Sequence, residues 1–545
     1  MAPGAAADLA PREVLALYRP HAGTVASFLA ARVEVTPDKP VLLVGGRTWT
    51  YRELEEGSVR LAHMLARRGI EHGDRIVLVA VNTDLSVVLF LAAARLGAIF
   101  VPLNPASTHA ELSYLLRHTR PALIVAQAEE LARVTDIARE LERAPALLPL
   151  AELDAGEGGA RAVIAGMKAV DPADAPLPSV SAEDPLVVIY TSGTTGFPKG
   201  VVHTQRTYLL AAEGFVERLH LQPSDRLLTV LPFYHINALF YSLGGAIAAG
   251  GALVTAPRFS ATTFWNLAAD SGATEFNILA AVGNILMNRD RSEYNAAHRV
   301  RKIYGGPISE RMYQVFREEF HIPTLIEGYG MSEIPGACCT PFAGLHKPGS
   351  IGLPARHPLY QEDFAQMRIV DDEGRDVPTG ATGELLVRTP MMFKEYLDDP
   401  VQTAAAFRDG WFLTGDLARR DEDGYLYFVA RKKDIIRRRG ENIAGAELDR
   451  VISDHPELLE AAAIGVPSEL GEEEILIVVV PRPQANPRAE DIVAWCRERL
   501  APMKVPRFVA FAESLPHTPS HRVAKHRLKA DTALLKRMID TQRAP

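Results

Sequence analysis

The sequence predicts an α/β protein: a large N-terminal body of helix-covered, mostly parallel sheets, followed by a small α+β domain. Three observations carry this prediction. Short apolar or β-branched runs alternate with helix-period segments over most of the chain. The loops that look chemical follow strands, where α/β folds bind ligands. Past residue 430 the pattern changes to a short set of strands and helices, enough for a domain of its own.

In order, DPLVVIYTS (184–192) reads as a strand ending in a glycine-rich loop, and HTQRTYLLAAEGFVERL (203–219) as the helix that follows it. DRLLTVLPF is a strand and ALFYSLGGAIAAG a helix. GALVTAP, TEFNILAAV, VRKIYGG and PTLIEGYG are short strands, separated by helical pieces such as SATTFWNLAAD and SERMYQVFREEF. In the tail, helices are expected at 446–453 and 489–500 and strands at 459–466, 475–481 and 507–511. The boundary is placed near residue 431, giving domains of 1–430 and 431–545.

Composition excludes several classes. The chain of 545 residues is 47% hydrophobic and 23% charged, long enough for two or three units with a large core. A net charge of −8 makes it a poor general binder of nucleic acid or acidic membrane. Cys338, Cys339 and Cys496 have neither a disulfide framework nor zinc spacing, and read as reduced thiols in a cytoplasmic protein. The first residues lack a basic start followed by an apolar run. The most apolar region, 76–103, is broken by Asn82, Asp84 and Arg95, so it reads as strand, turn and buried helix, not a membrane span.

The segment YTSGTTGFPKG (190–200) places Thr191, Ser192, Thr194 and Thr195 among glycines and ahead of Lys199. It fails the P-loop pattern, because Pro198 precedes the lysine and Gly200 follows it. The physics of anion binding survives: glycines let backbone N–H groups converge, hydroxyls add donors and the lysine adds charge. A simple polar turn does not need that density of donors.

This loop resembles the signature loop of the adenylate-forming superfamily, which includes acyl-CoA synthetases, nonribosomal-peptide adenylation domains and luciferases. Further motifs stand in the family's order: LPFYHINA (231–238), YGGPIS (304–309), EGYGMSE (327–333), GELLVR (383–388), WFLTGD (411–416) and ARKKDIIRRRGENIAGAELD (430–449). The resemblance runs from TWTYRELEE (48–56) to the last helix. It implies an added β-barrel-like subdomain, a mobile C-terminal domain, and an ATP-dependent carboxylic acid–CoA ligase. Such an enzyme joins a carboxylate to AMP, releasing pyrophosphate, then passes the acyl group to the thiol of coenzyme A. The acid is a small-molecule substrate; the resemblance also allows a homodimer.

By resemblance, Thr191, Ser192, Gly193, Thr194, Thr195 and Lys199 cradle the β- and γ-phosphates of ATP. Glu333 helps hold Mg²⁺, a hard ion suited to carboxylate oxygen. Ser332 stands where threonine is usual and keeps the hydroxyl facing the α-phosphate. Tyr329 stacks on adenine, with Gly306, Glu327 and Gly328 beside it; Asp416 accepts from the ribose hydroxyls and Arg431 contacts the nucleotide. His235 gates the acyl pocket, which Asn237, Phe240, Tyr241, Ala280, Ala281, Gly283, Gly305 and Met331 are expected to line. Small residues among them leave room for a medium or branched acid. Lys433 matches the hinge, and Arg437, Gly440 and Glu441 face the coenzyme A channel.

The chain departs from the family near its end. LPHTPSHRVAKHRLK (515–529) has His521 in place of glycine and Arg522 in place of the lysine that bridges carboxylate and α-phosphate. Arg522 is expected to take that role, keeping the charge with a planar, longer head group; Lys525 is the substitute if the loop shifts register. The apolar stretch after His235 lacks the aspartate that amino-acid adenylating domains use. RFSATTFW, GSIGLPA, FKEYLDDP and MKVPRF are closest to the carnitine/crotonobetaine–CoA ligase-like group. Two other readings stay open: a ligase that loads a carrier protein, and a non-catalytic nucleotide-binding homologue. An ADP-forming ATPase fits less well.

Overall fold

The computed structural model describes residues 8–154, 177–191, 198–360, 363–438, 441–468, 472–517 and 523–542. The chain divides into two compact units, 1–366 with 388–407, and 367–387 with 408–545.

The first unit holds two sheets. The larger runs Leu353–Pro354, Ile334–Cys339, Thr324–Met331, Lys302–Gly306, Glu275–Leu279, Arg226–Thr229, Ala252–Thr255, Pro40–Val44, Arg47–Thr50. Its centre is parallel, from Thr324–Met331 through to Pro40–Val44; hairpins flank both edges. The second sheet runs Glu395–Tyr396, Lys199–Thr204, Pro185–Thr191, Ile99–Leu103, Arg75–Val79, Leu123–Ala126, Ala146–Pro149. It too is parallel except at the Lys199–Thr204 end. Parallel strands are covered on both faces, so they read as unbroken apolar runs: PLVVI and RIVLV are almost wholly buried. The helix Gln205–Leu219 is buried along most of its length, and Phe215, Tyr208 and Leu219 are fully enclosed.

The elements expected between residues 184 and 331 form close to their anticipated places, among them the strands Pro185–Thr191 and Lys302–Gly306 and the helix Glu310–Glu318. One local expectation fails. The loop after Thr191 does not lead directly into a helix: Lys199–Thr204 is a strand that returns antiparallel on Pro185–Thr191, with Thr191 opposite Lys199. Its β-branched Val201, Val202 and Thr204 favour the pleat, which runs on until Thr204 caps the helix by accepting from the Thr207 N–H.

The 76–103 region forms a strand, a buried helix (Asp84–Leu96) and a strand, and among the described residues no helix is long and apolar enough to cross a membrane.

The second unit contains a five-stranded sheet built around Trp411–Arg420, which matches the expected barrel-like piece. It also holds the hairpin Ile435–Arg438/Glu441–Ala444 and a four-stranded sheet of Leu458–Pro467, Glu473–Pro481, Phe508–Phe511 and Ile539–Asp540. The helices Gly445–Ser453 and Ala489–Arg499 bury Leu448, Ile452, Ile492 and Cys496 against it.

Candidate active site

Pro185–Thr191 and Lys199–Thr204, the strands on either side of the glycine- and hydroxyl-rich segment, are fixed where they border it. On one side the Tyr190 hydroxyl bonds His118 Nδ1 at 2.7 Å and Thr119 Oγ1 at 2.9 Å. On the other, the Tyr114 hydroxyl donates to the Pro198 carbonyl at 3.2 Å. Thr191 and Lys199 therefore face each other as a strand pair at the base of the loop. Ser192, Gly193, Thr194 and Thr195 lie outside the described residues.

The Lys199 ammonium stands 4.9 Å from the centre of the Tyr396 ring. Tyr396 belongs to a two-residue strand paired with Lys199–Thr204, with Tyr396 opposite Val201. Its hydroxyl donates to Glu333 Oε1 at 2.8 Å. The Phe393 N–H donates to the Glu333 carbonyl at 2.8 Å, so the same short segment grips side chain and backbone. Burial and the Glu333 charge raise the Tyr396 phenol well above its ordinary range, which keeps it a donor. Glu333 is 9% exposed and makes no ion pair with Lys199. A carboxylate held by one neutral hydroxyl keeps lone pairs for a cation, so it fits Mg²⁺.

His203 supports this corner from behind. Nε2 lies 2.7 Å from the Ser332 carbonyl and Nδ1 lies 3.3 Å from Thr207 Oγ1. Burial lowers its pKa to about 4, so the ring is neutral and Nε2–H donates to Ser332.

Glu327, Gly328, Tyr329 and Met331 lie on one strand, Thr324–Met331, which bends back after Ser332 and Glu333 into Ile334–Cys339; Tyr329 pairs with Cys338 and Met331 with Ile334. Gly328 is required by close approach, since a Cβ there would stand 2.2 Å from the Tyr304 hydroxyl. Gly305 pairs with Glu327 on the neighbouring strand, and Gly306 ends that strand near the Glu327 side chain. Burial raises the Glu327 pKa to about 8, opposed by an N–H donated from Ile308.

His235 precedes a π-helical segment, Asn237–Leu243, and packs edge-on against Tyr234. Asn237 Oδ1 accepts from Asn277 Nδ2 at 2.6 Å. The Phe240 ring is fully buried between His203 and Tyr208, while Tyr241 packs with Phe215 and Tyr304. Ala280 and Ala281 begin the helix Ala280–Asn288, and Gly283 lies on its inner side against Met312.

In the second unit, Asp416 and Arg431 are directly opposite each other on antiparallel strands, with Arg431 Nε 3.4 Å from Asp416 Oδ1. Asp416 is 3% exposed. Lys433 lies in the helical turn Lys432–Asp434, and Glu441 opens the strand opposite Arg438. Arg437 is exposed and its N–H donates to Glu473. Gly440 and Arg522 lie outside the described residues. Lys525 Nζ is held by Asp449 at 2.6 Å.

Comparison with known families matches residues 29–397 to the AMP-binding enzyme family and residues 447–522 to the AMP-binding enzyme C-terminal domain. The chain belongs to the AMP-binding enzyme family. The sulfoacetate–CoA ligase of Cupriavidus necator is 33% identical over 93% of this chain and 97% of its own length. The crotonobetaine/carnitine–CoA ligase of Escherichia coli is 28% identical over 88% of this chain and 93% of its own, in line with the group named from sequence. Among solved structures, ATP-bound MatB from Rhodopseudomonas palustris superposes with a TM-score of 0.82 at 27% identity, covering 93% of this chain and 98% of that one.

For an AMP-binding enzyme, the residues that sequence reading passed over are Tyr396 and His203. Tyr396 sits within FKEYLDDP, noted only as a mark of ancestry, and the β-branched residues of KGVVHT could have flagged the strand that carries His203. Neither residue has a local signal for its partner: Glu333 is 63 positions from Tyr396, and Ser332 is 129 from His203.

Proposed function

We propose that this AMP-binding enzyme is an ATP-dependent carboxylic acid–CoA ligase, forming an acyl-adenylate and pyrophosphate and then an acyl-CoA and AMP. The observation that carries the reading is the Tyr396 bridge, which keeps Lys199 and Glu333 close yet apart at the mouth of the loop. A lysine and a carboxylate in direct contact would neutralise each other. Separated by one ring, the first remains a phosphate donor and the second a cation ligand.

In this reading Thr191 and Lys199 hold the phosphate end of ATP. Glu333 holds Mg²⁺, which when bound offsets charge on the phosphate oxygens. Glu327, Gly328 and Tyr329 meet adenine, Asp416 and Arg431 meet the ribose side, and His235 adjoins the acyl group. Coenzyme A is the acceptor, reached past Arg437 and Glu441, with Lys433 as the hinge of a C-terminal domain that reorients between the two half-reactions. The small-molecule acid is activated in the cytoplasm, a setting in keeping with its three free thiols.

The test is carboxylate-dependent exchange of labelled pyrophosphate into ATP, run on wild type and Lys199→Met. Exchange that requires an acid and falls by about 100-fold or more in the variant supports the reading, since one fixed donor to transition-state charge is worth that much. Exchange unaffected by Lys199→Met would overturn the assignment of that lysine.

A further inference from the structure

Among the described residues, Arg218 is a buried cation without an anion. It lies in the last turn of the helix Gln205–Leu219 and is 2% exposed. Nη2 donates to the Gly336 carbonyl at 2.8 Å and, weakly, to that of Pro335 at 3.4 Å. Nε and Nη1 are enclosed, have no hydrogen-bond partner among the described residues, and form no ion pair there. The ionisable groups that act on it are Tyr304, Tyr241, Cys339 and Cys338. Burial raises Tyr241 to about 12 and Cys339 to about 11, and moves Tyr304 and Cys338 higher still. All four are neutral near pH 7, so none supplies a counter-charge.

Enclosing a guanidinium in this way is costly unless an anion meets it. Tying down the Pro335–Gly336 turn does not account for it: that duty uses Nη2 alone, and a neutral amide could perform it. The backbone is shaped around the charge. Gly336 has φ +64, and a Cβ there would stand 2.3 Å from Arg218 Cζ.

The place is as telling as the charge. Tyr241 lies on the segment after His235, Tyr304 adjoins Gly305, and Gly336 follows Glu333 by three positions on the same hairpin. The elements read as the wall of the acyl site thus converge on one guanidinium, whose carbon is 5.4 Å from the Tyr241 ring centre.

We propose that the acid activated by this enzyme carries a second anionic group, a carboxylate or sulfonate, and that Arg218 binds it. This rests on the ligase reading and narrows its substrate class. The anion approaches in the plane of the guanidinium, at the edge where the Nε–H or Nη1–H donor is unmet, and accepts from it. A medium or branched aliphatic acid would leave those donors unmet.

The test compares matched acids in pyrophosphate release and acyl-CoA formation: succinate against butyrate, and malonate or sulfoacetate against propionate. Wild type is expected to favour the dianionic member by roughly 10- to 100-fold in kcat/KM, the worth of a hydrogen-bonded charge. Arg218→Met should collapse that ratio, lowering the dianionic acid far more than its monoanionic partner, whereas Arg218→Lys keeps part of it. If the methionine variant does not fold, the wild-type ratio and the lysine variant decide. Equal or greater turnover of the monocarboxylates by wild type would overturn the proposal and leave the ligase intact. So would an equal loss on both acids in a folded Arg218→Met. No pyrophosphate with any acid would overturn the ligase reading, and this one with it.

Discussion

The Tyr396 hydroxyl donates to Glu333 Oε1 at 2.8 Å while its ring faces the Lys199 ammonium at 4.9 Å. One side chain thereby sets the position of two charges whose sequence positions are 134 apart (333 less 199). Tyr396→Phe keeps the ring and removes the hydroxyl. The expected result is a rise in the Mg²⁺ concentration needed for half-maximal rate, with kcat/KM for ATP reduced about tenfold, the usual worth of a hydrogen bond to a charged group. Titration of pyrophosphate release against Mg²⁺ checks this; an unchanged Mg²⁺ requirement would remove Tyr396 from the account.

His203 predicts a pH dependence of stability. Its pKa is about 4 in the fold and near 6.5 when unfolded. Between those values the unfolded chain binds more protons, so stability is lost as pH falls from about 6.5 to about 4. The effect is at most about 3 kcal/mol from this group. His203→Gln should flatten the Tm profile across that window; a profile as steep as wild type would contradict the assignment.

Glu327 has the opposite sign. Its carboxyl is raised to about 8 by burial, so the folded chain holds a proton that the unfolded chain releases near 4.5. Stability therefore falls as pH rises from about 4.5 to about 8. Glu327→Gln should match wild type in Tm near pH 5 and exceed it at pH 9. Equal melting at both pH values would show that Glu327 is ionised in the fold.

Asp416 is almost fully enclosed, with Arg431 beside it. Asp416→Ala leaves that arginine without its carboxylate and removes the proposed ribose acceptor. The expected outcome is a rise in the Kd for ATP of about tenfold or more by calorimetry, and a smaller change for inorganic pyrophosphate. Parallel losses for both ligands would argue against a ribose contact.

Much of this was legible in the chain itself, and the reason is physical. Buried parallel strands are apolar along most of their length, so Pro185–Thr191 and Lys302–Gly306 announce themselves. The donor-rich loop is legible because its composition serves no ordinary turn. What stayed hidden depends on partners far away in the chain. Lys199–Thr204 looked like a lead into the helix because its pairing with Pro185–Thr191 is tertiary. Arg218 resembles any cation near a helix C-terminus, where the dipole favours it. Only the packing of Tyr241, Tyr304 and Gly336 around it shows a buried charge.

The most direct test of the central claim is to identify the products. Purified protein, ATP, Mg²⁺, coenzyme A and a panel of mono- and dianionic acids are incubated, and nucleotide and thioester are read by mass. The account predicts AMP, pyrophosphate and an acyl-CoA, each dependent on the acid. ADP and inorganic phosphate formed without regard to the acid would contradict it.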